Sequence, residues 1–140
     1  MMSMLTIGQL SKATNCTVVT LRYYERQGLL PKIARSAAGY RLYPKDLITR
    51  IAFIKGAQSV GFSLKEIKAL LTFEEKKVPS SEVKKFTQQK IQQIHQKINT
   101  LSTMEDALMQ WEKLCDGKLP IEDCPILENL HRFAKQMERS

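Results

Sequence analysis

The chain has 140 residues, enough for one small domain with an extension, and carries a formal net charge of +8. It contains no apolar run of the roughly 18 to 20 residues that a membrane-spanning helix needs, and its first residues lack the apolar core of a signal peptide, so we expect a cytoplasmic protein. Its three cysteines are too few for the disulfide framework of a small secreted protein, so we expect reduced thiols.

The positive charge is confined to the first half of the chain. Residues 1–73 carry a net charge of +8, whereas residues 74–140 carry equal numbers of basic and acidic side chains. A one-sided positive field attracts polyanions, and contacts with phosphates release counterions. The distribution therefore favours a nucleic-acid partner, with a merely solubilising basic surface as the alternative.

Two short helices are predicted at the start of the chain. Thr6 and Gln9 form a capping-box pattern, which predicts a first helix of about eight residues. Thr17 can cap a second helix that Gly28 ends. Two such helices joined by a tight turn form a helix-turn-helix, whose second helix can enter a DNA major groove. Cys16 falls in the turn and is expected to be a small buried residue.

A wing is predicted after the second helix. Residues 32–36 and 40–43 have the pattern of two short strands, with residues 37–39 as the turn between them. The second helix and the wing both carry Arg and Tyr side chains. Such a pair of elements is suited to holding two neighbouring stretches of a nucleic-acid backbone.

Two further helices complete the predicted first domain. Pro44 suits the first position of a third helix, which Gly61 ends. Ser63 and Glu66 form a second capping-box pattern, which predicts the start of a fourth helix. Both segments carry apolar residues at helical spacing, so we expect them to pack onto the helix-turn-helix.

A long helix is predicted in the second half of the chain. Residues 74–80 are charged, contain Pro79 and indicate a hinge. Residues 81–114 contain no Gly or Pro, and apolar side chains recur there at three- and four-residue spacing: Ile91, Ile94, Ile98, Leu101 and Leu108. This apolar seam requires another helix, and a second copy of the chain is the simplest partner. The alternative is a hairpin with the last helix, but residues 125–137 are too few to cover the seam.

Two cysteines follow the long helix and indicate a metal site. Cys115 and Cys124 flank a loop that contains Gly117 and Pro120, so the loop can fold back and bring the two sulfurs together. Pro125 suits the first turn of a last helix, where the N-terminus favours the thiolate form of Cys124. Soft thiolates select soft ions, either Cu(I) or thiophilic Zn(II), Cd(II), Hg(II) and Pb(II). Two unremarkable thiols beside a loop are the alternative.

Other side chains in the same half of the chain could also bind a metal. Oxygen ligands for a divalent ion could come from Asp116, Glu122 and Asp123, although such side chains are more often solvated. His95 on the long helix and His131 on the last helix are expected to be structural or exposed.

Taken together, these segments resemble the MerR family of bacterial transcription regulators. The matching segments keep the family's order and spacing and are followed by the long helix and the cysteine loop: Leu5 to Ala13, Thr20 to Leu30, Arg35 to Tyr43 and Gly61 to Ile67. The resemblance implies a homodimer with an antiparallel coiled coil, in which each second helix enters the major groove of double-stranded promoter DNA while the wing grips the adjacent backbone. It also implies activation by bending and untwisting DNA for an RNA polymerase on the same promoter.

The resemblance assigns candidate DNA contacts to individual residues. Phosphate contacts are expected from Arg22, Tyr23, Arg35, Tyr40 and Arg41. Contacts near base edges or the backbone are expected from Lys12, Thr17, Val18 and Thr20. One tyrosine of the pair Tyr23 and Tyr24 could instead pack between helix and wing.

The resemblance also bears on the choice of metal. Divalent-ion sensors of the family commonly bring a third cysteine from the start of the partner's long helix, whereas copper-type members have a serine there. Ser80 falls at that position and is therefore a candidate selectivity residue. Two thiolates without a third sulfur suit a linear two-coordinate ion, so we expect Cu(I), with Ag(I) or Au(I) as mimics, as in the copper-efflux type. Zn(II), Cd(II), Hg(II) and Pb(II) are the alternatives.

The predicted fold is mainly α. A winged helix-turn-helix DNA-binding domain over residues 1–73 is followed by a hinge at 74–80, a coiled-coil dimerisation helix at 81–114, and a metal-binding loop with a terminal helix at 115–140. Two competing hypotheses are a sensor of oxidants or electrophiles that uses the same cysteines, and a nonspecific architectural nucleic-acid binder. An enzyme is not expected, because no catalytic triad, phosphate-binding loop or carboxylate pair is present in the sequence.

Overall fold

The structure is a computed structural model that describes residues 4–33, 35 and 39–138. The described part of the chain is mainly α-helical, which confirms the predicted fold class. Its elements are β1 (Met4–Leu5), α1 (Ile7–Thr14), α2 (Val18–Arg26), β2 (Tyr43–Pro44), α3 (Leu47–Ser59), α4 (Leu64–Glu75), α5 (Ser80–Leu114), a 3₁₀ turn (Ile121–Asp123) and α6 (Pro125–Glu138).

The first two helices form the predicted helix-turn-helix. Thr6 caps α1 through both hydrogen bonds of a capping box with Gln9, and the Thr17 side chain accepts a hydrogen bond from a backbone N–H in the first turn of α2. Between the helices, Asn15 takes a left-handed conformation that turns the chain. After α2, Gly28 has a φ of +77°, which glycine adopts without the steric penalty of a side chain.

The core of the first half of the chain lies between these two helices, α3 and α4. Its innermost side chains are fully buried: Leu10, Leu21, Leu29, Tyr43, Ile51, Ile54 and Ile67. Tyr24 is also buried, and its hydroxyl donates to Oε1 of Gln58 on α3 at 2.9 Å. Cys16 is 8% exposed within the same core, as predicted. The core therefore fixes which face of α2 remains available to a partner.

The wing differs from the prediction in its strand pairing. Among the described residues, the two predicted strands are joined by a single bridge between Arg35 and Arg41, and residues 34 and 36–38 lie outside the described part. Tyr43 pairs instead with Leu5 of β1 in an antiparallel sheet. This pairing gives the backbone of Tyr43 a hydrogen-bonded neighbour, and the Tyr43 side chain is fully buried in the core.

The third helix was also predicted to begin too early. Pro44 lies in β2, and α3 begins at Leu47 rather than at Pro44. Proline has a fixed φ that suits the edge of a sheet as well as a first helical turn, so the residue type alone did not distinguish the two. α3 ends at Ser59, two residues before Gly61.

Aromatic and charged contacts join α4 and the residue Phe62 before it to the beginning of α5. Phe86 of α5 stacks on Phe62 at a centroid distance of 5.9 Å and meets the ring of Phe73 edge-on at 5.5 Å. Nζ of Lys90 lies 2.8 Å from Oε1 of Glu66, whose carboxylate also completes the predicted capping box of α4. Lys90 is only 8% exposed. Since lysine is almost never buried without a partner, the contact with Glu66 explains why this side chain can be buried.

The chain divides into two compact units, Met1–Lys90 and Ile91–Ser140. Within the second unit, Trp111 of α5 packs against Phe133 of α6 at a centroid distance of 5.6 Å. The predicted apolar seam of α5 is exposed on the single chain. No helix in the described part of the chain is both long and apolar enough to cross a lipid bilayer.

Candidate nucleic-acid interface and metal centre

The N-terminus of α2 places two of the predicted contact residues in a cap. Oγ1 of Thr17 accepts from the N–H of Thr20 at 3.1 Å, and the two hydroxyls lie 2.8 Å apart. Both hydroxyls therefore help to start the helix, and each has remaining capacity for a further hydrogen bond. Val18 is half-buried, and Lys12 is exposed in the last turn of α1.

The solvent-facing side of α2 carries one residue that the sequence analysis missed. Val19 is 75% exposed, whereas the predicted contact residue Val18 is half-buried. Arg22, Tyr23 and Arg26 follow Val19 at helical spacing, and the Arg26 guanidinium lies 6.0 Å from the centre of the Tyr23 ring. Leu21 and Tyr24 are buried on the opposite face of α2. Their spacing in the sequence could therefore have identified Val19 as a solvent-facing residue of this helix.

The wing and α2 together line a cavity of about 520 Å³. Three guanidinium groups line it, from Arg22 on α2 and from Arg35 and Arg41 on the wing. Tyr40 also lines the cavity. Guanidinium groups bind phosphate oxygens through paired N–H donors, so a cavity with three of them suits a nucleic-acid phosphate. The structure thus brings together four of the five predicted phosphate contacts, and Tyr23 is exposed on α2 beside them.

An acidic side chain contacts one of the arginines that line this basic cavity. Oε2 of Glu25 accepts a hydrogen bond from Nη1 of Arg41 at 3.2 Å. Oε1 of Glu25 and the hydroxyl of Tyr43 are both buried without a hydrogen-bond partner of good geometry among the described residues. Burial raises the pKa of Tyr43 above its ordinary value of 10.0, and the Glu25 carboxylate raises it further while Arg41 opposes the change.

The two cysteines of the predicted metal site flank the loop between α5 and α6. Cys115 directly follows α5, and both cysteines are free and half-buried. The carbonyl of Cys124 accepts a hydrogen bond from the N–H of Glu128 at 3.1 Å, so Cys124 occupies the N-cap position of α6. Within the loop, Gly117 has a φ of +78°.

The other candidate ligands have different surroundings. Oδ1 of Asp116 accepts from the N–H of Lys118 at 2.8 Å and so stabilises a turn in the loop. Glu122, Glu128 and His131 line a cavity of about 460 Å³ together with Cys124. Asp123 lies in the 3₁₀ turn, and His95 and His131 are exposed.

Within residues 4–33, 35 and 39–138, no group of three or more His, Cys, Asp or Glu side chains has a metal-binding arrangement. Ser80 is exposed at the first position of α5.

Comparison with known proteins identifies the family. Residues 5–74 match the profile described as MerR HTH family regulatory protein, and residues 48–111 match the profile described as MerR, DNA binding. The chain belongs to the MerR family. This MerR-family chain is therefore a DNA-binding transcription regulator and not an enzyme, as predicted.

This MerR-family chain is similar to named transcription regulators over most of its length. It is 38% identical over 125 residues to the mercuric resistance operon regulatory protein of Bacillus cereus, an alignment that covers 89% of this chain and 95% of the relative. It is 36% identical to the HTH-type transcriptional regulator CueR of Vibrio cholerae, with 89% of each chain covered. The crystal structure of the regulator PbrR691 from Ralstonia metallidurans CH34 in complex with lead(II) has a TM-score of 0.82 at 34% identity, covering 91% of this chain and 99% of that one.

Proposed function

We propose that the chain is a metal-responsive transcription regulator that binds double-stranded promoter DNA as a homodimer. A soft metal ion, with Cu(I) as first choice, binds Cys115 and Cys124 and changes the conformation of the promoter for RNA polymerase. The proposed metal binding rests on one observation. Cys115 and Cys124 are free, half-buried thiols at the two ends of one loop, and Cys124 lies at a helix N-terminus.

The proposed DNA contacts rest on the exposed face of α2 and the basic cavity beside it. The exposed side chains of α2 face away from the core, so the helix can enter a major groove without unpacking. The guanidinium groups of Arg22, Arg35 and Arg41 then hold the adjacent phosphates. Val19 joins the predicted residues as a base-edge contact, because its exposed methyl groups suit the methyl group of thymine.

The proposed homodimer rests on the exposed seam of α5. Its side chains are between 37% and 63% exposed on the single chain: Ile91, Ile94, Ile98, Leu101 and Leu108. Burial of the exposed half of each such side chain is worth about 1 kcal/mol, or roughly 10 kcal/mol over two copies. This gain is of the same order as the roughly 4 to 15 kcal/mol that association costs in lost freedom of movement. Burial of the seam in a pair of α5 helices is therefore large enough to offset much of this cost, which supports α5 as a dimer contact.

The proposed choice of Cu(I) rests on the donor atoms. One chain offers two sulfurs at the loop, and the first residue of α5 offers the hydroxyl oxygen of Ser80 rather than a thiolate. Soft monovalent ions accept two thiolates in a linear arrangement, whereas tetrahedral zinc requires four ligands. Cys115 and Cys124 would hold such an ion through their sulfur atoms, and the two ends of the loop would then be linked. Ag(I) and Au(I) share this chemistry and are expected to act as mimics.

A divalent ion such as Hg(II), Pb(II), Zn(II) or Cd(II) is the second candidate. Glu122, Glu128 and His131 line the same cavity as Cys124 and offer oxygen and nitrogen atoms near one of the sulfurs. The names of the relatives from Bacillus cereus and Ralstonia metallidurans, which refer to mercury and lead, support this alternative.

The proposal is tested by single cysteine variants. Cys115→Ser and Cys124→Ser are compared with Cys16→Ala, which removes a thiol from the core instead of the loop. Each reduced protein is bound to a duplex that the wild-type protein selects from a random-sequence pool. Footprinting then follows the duplex with and without Cu(I), Ag(I), Zn(II), Cd(II), Hg(II) or Pb(II), and X-ray absorption counts sulfur neighbours.

We expect both loop variants to bind the duplex but to lose the metal-dependent change in footprint, while Cys16→Ala retains it. A full response to Cu(I) in either loop variant would exclude the proposed site. A wild-type footprint that changes with divalent ions and not with Cu(I) would favour the second candidate. A change caused by an oxidant in metal-free protein would favour redox sensing.

A further inference from the structure

We infer that Glu25, an acidic residue inside the basic DNA-binding surface, positions Arg41 for contact with a DNA phosphate. The inference rests on the proposed contact between Arg41 and DNA and adds a second residue to it. It leads to an unusual expectation: removal of a negative charge from this surface weakens DNA binding.

The geometry ties the wing to the second helix. Glu25 lies on α2 and Arg41 lies on the wing, sixteen positions later, and the two side chains are joined at 3.2 Å. The Glu25 side chain is 15% exposed, whereas that of Arg41 is 44% exposed. The carboxylate is thus largely shielded, while the guanidinium remains accessible from the solvent side.

The orientation of the carboxylate keeps it away from an approaching phosphate. Oε2 of Glu25 is occupied by Arg41, and Oε1 is buried near the equally buried hydroxyl of Tyr43. Arginine has five N–H donors, and the contact with Glu25 uses the Nη1 side of the group. The other donors can face the cavity that Arg22 and Arg35 also line.

Two opposing effects decide the result of removing the charge. Glu25 repels DNA, but its carboxylate faces the Arg41 guanidinium at 3.2 Å rather than the incoming phosphate, and the Coulomb energy falls with distance. Against this, a free arginine side chain must give up its rotamer freedom when it binds, and an arginine that is already held loses less. Since ordering of one long side chain changes affinity by roughly 2- to 13-fold, we expect the loss of positioning to exceed the relief of repulsion.

The test is a double-mutant cycle on DNA affinity. Glu25→Gln keeps the shape of the side chain and removes its charge, Arg41→Gln removes the proposed phosphate contact, and the third variant carries both changes. Glu82→Gln is the matched control, because Glu82 is an exposed glutamate in the first turn of α5 and its loss changes net charge by the same amount. Affinity is measured by fluorescence anisotropy with the selected duplex, and thermal unfolding of each variant is recorded in parallel.

We expect Glu25→Gln to weaken binding about 5-fold in the wild-type background. In the Arg41→Gln background the same change should leave binding unaltered or make it slightly tighter, because only the repulsion remains to be removed. Glu82→Gln should change affinity by less than about 2-fold.

Three results would overturn the inference. Glu25→Gln could tighten binding or leave it unchanged in the wild-type background, which would mean that repulsion dominates. It could weaken binding equally with and without Arg41, which would assign Glu25 a structural role, and unfolding temperatures would reveal it. If Arg41→Gln itself leaves affinity unchanged, the failure belongs to the proposed phosphate contact and the inference falls with it.

Discussion

Replacement of Lys90 by methionine tests the joint between α4 and α5. The change keeps an apolar stem of similar length and removes the ammonium group that lies 2.8 Å from Glu66. Loss of one member of a fully buried ion pair costs about 3 to 5 kcal/mol. The Glu66 side chain is 24% exposed and keeps its hydrogen bond from Ser63, so we expect a smaller loss of about 2 kcal/mol.

This loss is measurable as a shift of the unfolding midpoint. At about 3 °C per kcal/mol for a chain of this size, Lys90→Met should lower the midpoint by about 6 °C. Lys97→Met is the matched control, because Lys97 is an exposed lysine on the same helix. Both variants are unfolded by heat at the same protein concentration, since dimerisation makes the midpoint concentration-dependent.

The pH dependence of stability provides a second measure of the same contact. Hydrogen bonds from Lys90 and Ser63 lower the pKa of Glu66 below its ordinary value of 4.5. A depressed carboxyl pKa contributes stability that is fully present above pH 4.5 and is lost as the pH falls through the folded-state pKa. Lys90→Met should therefore lose less stability than the wild-type protein on acidification. Equal midpoints for Lys90→Met and Lys97→Met at neutral pH would refute the reasoning.

Two further predictions concern a turn and the metal. Gly28→Ala should destabilise the protein by about 1 to 2 kcal/mol, because φ at Gly28 is +77°. The control Gly56→Ala, within α3, should be neutral or stabilising, since a methyl group there meets no neighbouring atom. Equal unfolding midpoints for the two variants would contradict this prediction. Ser80→Cys should extend the metal response toward divalent ions, as measured by the footprint of the selected duplex with Cd(II) or Hg(II), and an unchanged metal profile would remove Ser80 from the proposed site.

The sequence predicted those features that depend on neighbouring residues. The caps at Thr6, Thr17 and Ser63 are local patterns, because donor and acceptor lie within three positions of each other. The amphipathic spacing of α5 likewise repeats along one helix. Pro125 was correctly placed at the start of α6 for the same reason.

Features that depend on distant partners were missed or misassigned. Tyr43 pairs with Leu5, thirty-eight positions earlier, and no pattern within the wing indicates that pairing. Lys90 looks like an ordinary polar residue of a long helix until Glu66 is found beside it. The contact between Glu25 and Arg41 is equally non-local. The roles proposed for the DNA and metal ligands, and the domain boundaries, remain predictions.

The burial of Cys16 has a practical consequence for experiments on this protein. Cys16 is 8% exposed, whereas the two loop cysteines are half-buried. A thiol-reactive dye should therefore label Cys115 and Cys124 first and reach Cys16 only when the surrounding core opens. When both loop thiols are blocked, the labelling rate of Cys16 reports how often the core around the helix-turn-helix opens. Slower labelling of Cys16 in the presence of DNA would then measure how much the bound duplex stabilises that core.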